Sequence, residues 1–207
     1  MITLSHTVPL ARGLMRYVFP HPDRPDAVIK VIRPDMLEAR WGGRRGWLKR
    51  RARARQYTVY LRELREYVAL RAREPVAAPF VRIFGLVETD LGLGQVVECV
   101  RGEDGALAPT LDVLVARHGL ADWIREGVDG LFDELLRHRV VLSDMHIGNV
   151  VYGHSGDEPL RFVLIDGFGE KNVVPLCSMS ERFNTRNTRR LYARLARQMA
   201  ELAAAKA

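Results

Sequence analysis

The segment Leu142–Val151 places an aspartate, Asp144, five residues before an asparagine, Asn149. Apolar residues precede and follow this loop, and we expect them to fix both of its ends. At this spacing a carboxylate orients a hydroxyl group and accepts its proton, while the amide oxygen binds a magnesium ion beside it. The alternative is an Asx turn, in which both side chains bond only to backbone.

A second carboxylate, Asp166, follows the apolar run Phe162–Ile165 and precedes Gly167-Phe168-Gly169. At the end of a strand such a carboxylate can bind a divalent cation that bridges phosphate groups. The alternative is an aspartate that ends a strand before a turn. Asp166 and Asn149 are therefore the candidate metal ligands.

Lys30 lies in the middle of the predicted strand Ala27–Ile32. Strands alternate their faces, so an exposed lysine at this position is the alternative to a phosphate-binding one. In phosphoryl-transfer sites such a lysine pairs with a glutamate on a nearby helix. Of the two candidates, Glu63 lies closer to the predicted apolar stripe, and Glu66 is expected to face solvent.

The surrounding pattern predicts elements that position these groups. Short strands fill residues 8–32, and a helix follows over 54–73 with an apolar stripe at i, i+3, i+4 spacing. The residues of that stripe are Tyr57, Tyr60, Leu61, Leu64, Tyr67 and Val68. A hairpin over residues 80–100 comes next, and helices dominate after residue 110, with Thr110 or Asp112 and then Asp122 as capping residues.

This order predicts an α+β fold of two lobes. Residues 1–100 form a β-rich N-lobe with one long helix, residues 101–109 a glycine-rich hinge, and residues 110–207 a short, mainly helical C-lobe. In chain order Lys30, Asp144, Asn149 and Asp166 follow the layout of protein-kinase-like phosphotransferases. The same order predicts ATP and Mg²⁺ as cofactors, bound in the cleft between the lobes.

Composition narrows the classes further. With 32 basic and 25 acidic residues the formal charge is +7, which favours phosphorylated ligands, nucleic acid or an anionic surface without choosing among them. Only Cys99 and Cys177 are present, too few for a disulfide framework. No apolar run reaches membrane-spanning length and no secretory signal is evident, so we expect a cytoplasmic protein without a transmembrane segment.

The chain resembles the YrbL family of PhoP regulatory network proteins over about residues 4 to 195. The resemblance rests on Ile29-Lys30, Leu61-Arg62-Glu63-Leu64, Gly85-Leu86-Val87-Glu88-Thr89-Asp90, Asn149, and Asp166 with Gly169-Glu170. The central loop is also similar to that of the aminoglycoside and choline phosphotransferases, which carry the string D-x-H-x-x-N. These resemblances imply a two-lobed kinase fold and leave the substrate undefined.

The predicted roles follow from this layout. Lys30, held by Glu63, contacts the α- and β-phosphates, and Asp144 positions the acceptor hydroxyl, on a small molecule or glycan. The loop at Gly13 and Arg16 covers the nucleotide, with arginine charge in place of missing glycines. The adenine is expected against the segment of Glu98 and Val100.

Three other hypotheses remain open. The single glycine of the covering loop and the absence of a His-Arg pair before Asp144 favour a pseudokinase, a binding module without turnover. The Arg/Trp-rich insert 40–55 is typical of single-strand nucleic-acid binders or of contacts with an anionic surface, although a solvated insert is the simpler interpretation. His146 either orients Asp144 or braces the loop through a backbone hydrogen bond.

Overall fold

The computed structural model describes residues 1–41, 57–73, 78–156, 158–172 and 174–205. The chain divides into two compact units. The first comprises Met1–Leu61 and Arg82–Cys99, and the second comprises Arg62–Val81 and Val100–Ala207. The change of unit at Val100 lies beside the predicted hinge, whereas Arg62–Val81, which the sequence assigned to the N-lobe, groups with the second unit.

The first unit contains a five-stranded antiparallel sheet of order β1-β2-β3-β5-β4. Its strands are β1 (Ala11–Arg12), β2 (Arg16–His21), β3 (Arg24–Ile32), β4 (Ile83–Thr89) and β5 (Gly92–Glu98). One face packs an apolar cluster made of Leu4, Phe19, Ala27, Ile29, Val31 and Val96. Because strand residues alternate, the other residues of β3, including Lys30, lie on the opposite face.

A helix that the sequence did not predict, α1 (Pro34–Trp41), follows β3 directly. Proline suits a first helical position because its fixed φ matches the helix. An N–H at that position would have no acceptor within the helix, so its absence costs nothing. Pro34 therefore ends the strand, as predicted, and also starts a helix. The Arg/Trp-rich insert lies almost entirely outside the described residues.

The second unit is mainly helical. After the end of α2 (Thr58–Arg73), it contains α3 (Leu111–His118), α4 (Asp122–Arg137), the hairpin β6 (Val150–Gly153) and β7 (Arg161–Leu164), α5 (Leu176–Met179) and α6 (Glu181–Ala204). The predicted inner face of α4 is buried, namely Ile124, Val128, Leu131, Phe132 and Leu135. The α+β class is thus confirmed, with an antiparallel sheet in the first unit and mainly helices in the second.

Two helix predictions need correction. Ala121, and not Asp122, occupies the N-cap position of α4. Thr110 occupies the N-cap position of α3, but its side chain makes no capping hydrogen bond. Along α2, Tyr60 is buried as the predicted stripe requires, but Leu61 and Val68 are 51% and 56% exposed. The buried face of the helix instead includes Glu63 and Leu70, an arrangement that apolar spacing alone does not reveal.

Among the described residues, the helices lack the combination of length and apolar character that spanning a bilayer requires.

Candidate functional site

Lys30 is buried in the first unit. It pairs with Val18 on β2 and with Gln95 on β5, and only 6% of its surface is exposed. The alternative of a solvent-facing lysine is therefore wrong. Burying an ammonium group is costly unless polar partners surround it. The Lys30 ammonium group is therefore stabilised by polar protein groups in place of water.

Lys30 shares its sheet face with a second buried cation. Arg16 is 7% exposed, and its Nη1 donates to Gln95 Oε1 at 3.4 Å. The Arg16 guanidinium lies 5.9 Å from the ring centroid of Tyr60, whose hydroxyl donates to the Lys30 carbonyl oxygen at 2.8 Å. Gln95 Nε2 is fully buried and has no hydrogen-bond partner among the described residues. This polar face thus carries a lysine, an arginine and a glutamine side chain.

Sequence reasoning missed Gln95. Its only signal was a polar residue within the apolar run of β5, opposite Lys30, and that pairing is visible only once the strand register is known.

The loop that was predicted to cover a nucleotide contains Gly13 and Arg16. Gly13 forms a tight turn in which its N–H donates to the Arg16 carbonyl at 2.9 Å. The Gly13 and Leu14 carbonyls accept from Arg33 Nη1, both at 3.3 Å. This amide therefore bonds within the turn, and the cationic side chain of Arg16 is the group of this loop that lies on the Lys30 face.

The two residues predicted to contact adenine, Glu98 and Val100, belong to different units. The Glu98 carboxylate accepts from the Arg82 N–H and Nη2, at 3.1 and 2.9 Å. In the second unit, the Val100 carbonyl accepts from Ala108 N at 3.0 Å. The Glu98 side chain is thus engaged with Arg82, which directly precedes β4.

The chain leading into the loop is held at three of its carbonyl groups. The carbonyls of Arg139 and Val140 accept from Asn184 Nδ2 at 3.1 and 3.2 Å, and the Leu142 carbonyl accepts from Asn187 Nδ2 at 2.9 Å. Two asparagines of α6 thereby fix the approach to Asp144. Asn184 is 5% exposed and lies on the buried face of α6. A polar residue at the helical spacing of the apolar residues was the only sign of this role in the sequence.

The segment that follows Asp166 packs directly on this loop. The N–H groups of Ser143 and Asp144 both donate to the Gly167 carbonyl, at 2.8 and 3.0 Å. Gly169 N donates to the Val141 carbonyl at 2.7 Å, and Phe168 stacks on Phe80 with ring centroids 4.4 Å apart. The two segments predicted to carry the chemistry are therefore neighbours in the folded chain.

Gly167 makes this approach possible. Its φ is +84°, and a Cβ built there would lie 1.8 Å from the Asp144 carbonyl oxygen and 3.1 Å from Asn149 Nδ2. Both the positive φ and the steric overlap with the Asp144 carbonyl therefore exclude a side chain at this position. The glycine inserted after Asp166 thus lets the backbone reach Asp144 and Asn149.

Asn149 and Asp166 lie on the two sides of this contact. Asn149 is 9% exposed, and its carbonyl accepts from Ile165 N at 2.8 Å. Asp166 is half-buried, and its Oδ1 accepts from Gly167 N at 2.7 Å. The structure therefore brings the candidate metal ligands to adjacent segments of one unit.

His146 braces the loop. Its Nδ1 accepts from Gly148 N at 3.1 Å, at the start of the 3₁₀ turn Ile147–Asn149. Of the two roles considered for His146, this bond matches the bracing of the loop through the backbone. The Nδ1 atom is therefore engaged with the backbone and not with the Asp144 carboxylate.

Asp144 is about half exposed, with 48% of its side chain accessible. Its Oδ1 lies 3.9 Å from Arg194 Nη1 on α6, and that arginine is 62% exposed. An accessible carboxylate on a loop held by backbone hydrogen bonds can meet an incoming hydroxyl group. Arg194 is a further residue that sequence reasoning did not single out.

Of the two glutamates of α2, Glu63 is buried and Glu66 is half-buried. Glu63 is 2% exposed, as expected for the better-placed candidate. Glu66, expected to face solvent, instead accepts a hydrogen bond from Val141 N at 2.8 Å. Burial raises the pKa of the Glu66 carboxyl above its ordinary value of 4.5, although the Val141 hydrogen bond acts in the opposite direction.

The raised pKa predicts a pH-dependent effect of Glu66→Gln. Because the folded state binds the proton more tightly than the unfolded state, Glu66 contributes less stability as pH rises from about 4.5 through its folded pKa. Glutamine stays neutral and still accepts from Val141. We expect the free energy of unfolding of the variant, relative to wild type, to increase across this window in urea titrations.

The matched variant Glu66→Ala removes the acceptor. Relative to Glu66→Gln, it leaves the N–H of buried Val141 unpaired, at a cost of about 1–3 kcal/mol at every pH. Both variants should change with pH in the same way relative to wild type, because neither new side chain titrates. Equal stability of the two variants, or no pH dependence in either, would contradict the assignment of Glu66 as a protonatable acceptor for Val141.

Among the described residues, no group of three or more His, Cys, Asp and Glu side chains could hold a metal ion. A site of one carboxylate and one amide oxygen suits Mg²⁺, which keeps several waters and takes further oxygens from substrate phosphates. The donor set of Asp166 and Asn149 fits that ion and would be inadequate for a closed structural site.

Together these features define an α+β protein that carries a buried lysine on its sheet and a glycine-backed Asp–Asn loop in its helical unit. The family model described as PhoP regulatory network protein YrbL matches residues 2–200. The chain therefore belongs to the YrbL family.

Two curated relatives carry the same name. A protein from Escherichia coli strain K12, named uncharacterized protein YrbL, is 27% identical over 206 residues, which cover 97% of this chain and 89% of the relative. The relative of that name from Shigella flexneri matches to the same extent. Among solved structures, a double mutant of the Mycobacterium tuberculosis PknI kinase domain is 19% identical, with a TM-score of 0.46 over 78% of this chain and 57% of that chain.

Proposed function

We propose that this protein is an ATP- and Mg²⁺-dependent phosphotransferase with a protein-kinase-like fold, which moves the γ-phosphate to a hydroxyl group. The observation that carries the proposal is the contact of Gly167 with the Asp144 loop in the second unit. That contact supports the pairing of an acceptor-orienting carboxylate with a metal-binding segment, which phosphoryl transfer requires.

Each group has a defined task in this mechanism. Lys30 would bind phosphate oxygens, and Arg16 on the same sheet face adds positive charge. Asn149 and Asp166 would hold Mg²⁺, which when bound neutralises charge on the phosphates. Glu63 is the proposed partner of Lys30.

Asp144 orients the acceptor hydroxyl and receives its proton. The acceptor oxygen forms a bond to the γ-phosphorus, the bond from that phosphorus to the β–γ bridging oxygen breaks, and ADP leaves with that electron pair. Positioning dominates this chemistry, so the hydrogen bonds that hold residues 139–144 are functionally relevant.

Titration with Mg-ATP tests the proposal. We expect wild type to bind, and Lys30→Met to weaken binding by about tenfold or more, because the neutral side chain keeps its volume and loses its charge. Lys171→Met is the control, since Lys171 is exposed. The measurement is isothermal titration calorimetry with an unhydrolysed ATP analogue.

The absence of binding at millimolar nucleotide would rule out the phosphotransferase. Equal losses in the Lys30 and Lys171 variants would show that the effect is one of net charge only.

A pseudokinase is the second candidate. The observation that favours it is the Gly13 turn, whose amide donates to the Arg16 carbonyl instead of being directed outward. Mg-ATP binding by wild type without detectable ATP hydrolysis or autophosphorylation would support this alternative.

A further inference from the structure

Four arginines follow one another at intervals of four residues along α6, and we refer to them as the arginine row. They are Arg182, Arg186, Arg190 and Arg194, and all four are exposed. Residues four apart lie on the same side of a helix, one turn above another, so the row forms a continuous cationic strip.

The row is short of compensating charge. Its last member, Arg194, lies 3.9 Å from Asp144. Glu181, at the start of α6, pairs with Arg139 at 3.1 Å and not with the row. For Arg182, Arg186 and Arg190 no ion pair occurs with any residue that the structure describes. Like charges at i and i+4 repel one another, so the row costs helix stability unless an anion relieves the repulsion.

The row is also held against the loop. Arg190 Nη2 donates to Asn187 Oδ1 at 3.0 Å, and Asn187 Nδ2 donates in turn to the Leu142 carbonyl. This relay and the contact of Arg194 with Asp144 fix the strip where it meets the candidate catalytic carboxylate. A ligand lying on the row would therefore reach Asp144 at one end.

We propose that the arginine row binds a small molecule that bears two or more phosphate groups and directs one of its hydroxyl groups to Asp144. Guanidinium forks match phosphate oxygens in a bidentate manner, and successive members of the row are about 5–6 Å apart, the rise of one helical turn. The identification of this ligand as the acceptor rests on the proposed phosphotransferase function, whereas its binding to the row does not.

The test uses inositol hexakisphosphate as a probe. Calorimetric titration of the full chain in magnesium-free buffer, with and without excess ATP, is expected to show binding that ATP does not displace. The double variant R186Q/R190Q should weaken it by about tenfold or more. The control R117Q/R125Q removes the same charge from exposed positions on α3 and α4 and should change affinity by less than about twofold.

A second readout separates binding from a structural role. Because R186Q/R190Q removes repulsion within α6, its thermal midpoint should equal or exceed that of wild type. A clear decrease would assign the row to folding and overturn the proposal.

Three other results would also overturn it: no binding of the probe, equal loss in the control variant, or displacement by ATP. Row-dependent binding to anionic phospholipid vesicles or to an oligonucleotide, without binding of the probe, would assign the row to a membrane or to nucleic acid instead.

The Mg-ATP titration separates the two proposals. A protein that binds Mg-ATP but not the probe loses only the arginine-row inference. One that binds the probe through the row but not Mg-ATP loses the phosphotransferase function.

Discussion

Replacing Asp144 by alanine is expected to lower γ-phosphate turnover by about a thousandfold, the scale of removing a group that orients and deprotonates a nucleophile. Nucleotide affinity should change by less than about threefold, because Asn149, Asp166 and Lys30 remain. The carboxylate is about half exposed on a loop whose backbone is fixed by Gly167 and Asn187. Its removal therefore eliminates the carboxylate but leaves the backbone hydrogen bonds that hold the loop.

The measurement is release or transfer of radiolabelled γ-phosphate, alongside calorimetry with Mg-ATP. Asp133→Ala is the control, since Asp133 is an exposed carboxylate on α4 of the same unit. Turnover that survives in Asp144→Ala would rule out Asp144 as the acceptor-orienting group. Turnover lost equally in both variants would point to a general effect on the unit.

Gly167→Ala is expected to have the largest effect on stability. The position has a φ of +84°, which costs a non-glycine residue about 1–2 kcal/mol, and the new Cβ would lie 1.8 Å from the Asp144 carbonyl oxygen. Backbone must move to relieve that overlap, and the bonds from Ser143 N and Asp144 N to the Gly167 carbonyl would be strained or lost. We expect the free energy of unfolding to fall by at least about 3 kcal/mol.

Gly105→Ala provides a matched control. Gly105 has a φ of +75°, but a Cβ there would meet nothing within 4 Å. Alanine at this position therefore lowers the free energy of unfolding only through the unfavourable φ, by about 1–2 kcal/mol. Denaturant unfolding of both variants isolates the steric part. If both lose the same stability, the close approach of Gly167 to the Asp144 loop is incorrect.

Much of the fold followed from local pattern. The inner face of α4 was predicted residue by residue because an apolar stripe at helical spacing has one way to be buried. The hairpin of β4 and β5 followed from two apolar runs around a glycine-containing turn. Helix α1 was missed because Pro34 both ends a strand and begins a helix, and only the end was considered.

The orientation of α2 could not be predicted from its own residues. Glu66 is half-buried and accepts the N–H of Val141, a residue 75 positions later. A partner so distant in sequence leaves no mark on local periodicity. Leu61 and Val68 were consequently assigned to the inner face and are exposed.

By itself the sequence determined which groups were available for chemistry: a lysine in an apolar strand, an Asp and an Asn five residues apart, and an Asp before a glycine. It also determined the α+β class, because binary patterning is a local property. Only the tertiary structure decided that Lys30 is buried beside Arg16 and Gln95, and that Gly167 meets Asp144. The physical reason is that strand register and loop packing are set by long-range hydrogen bonds and steric exclusion between segments distant in sequence, which residue spacing does not encode.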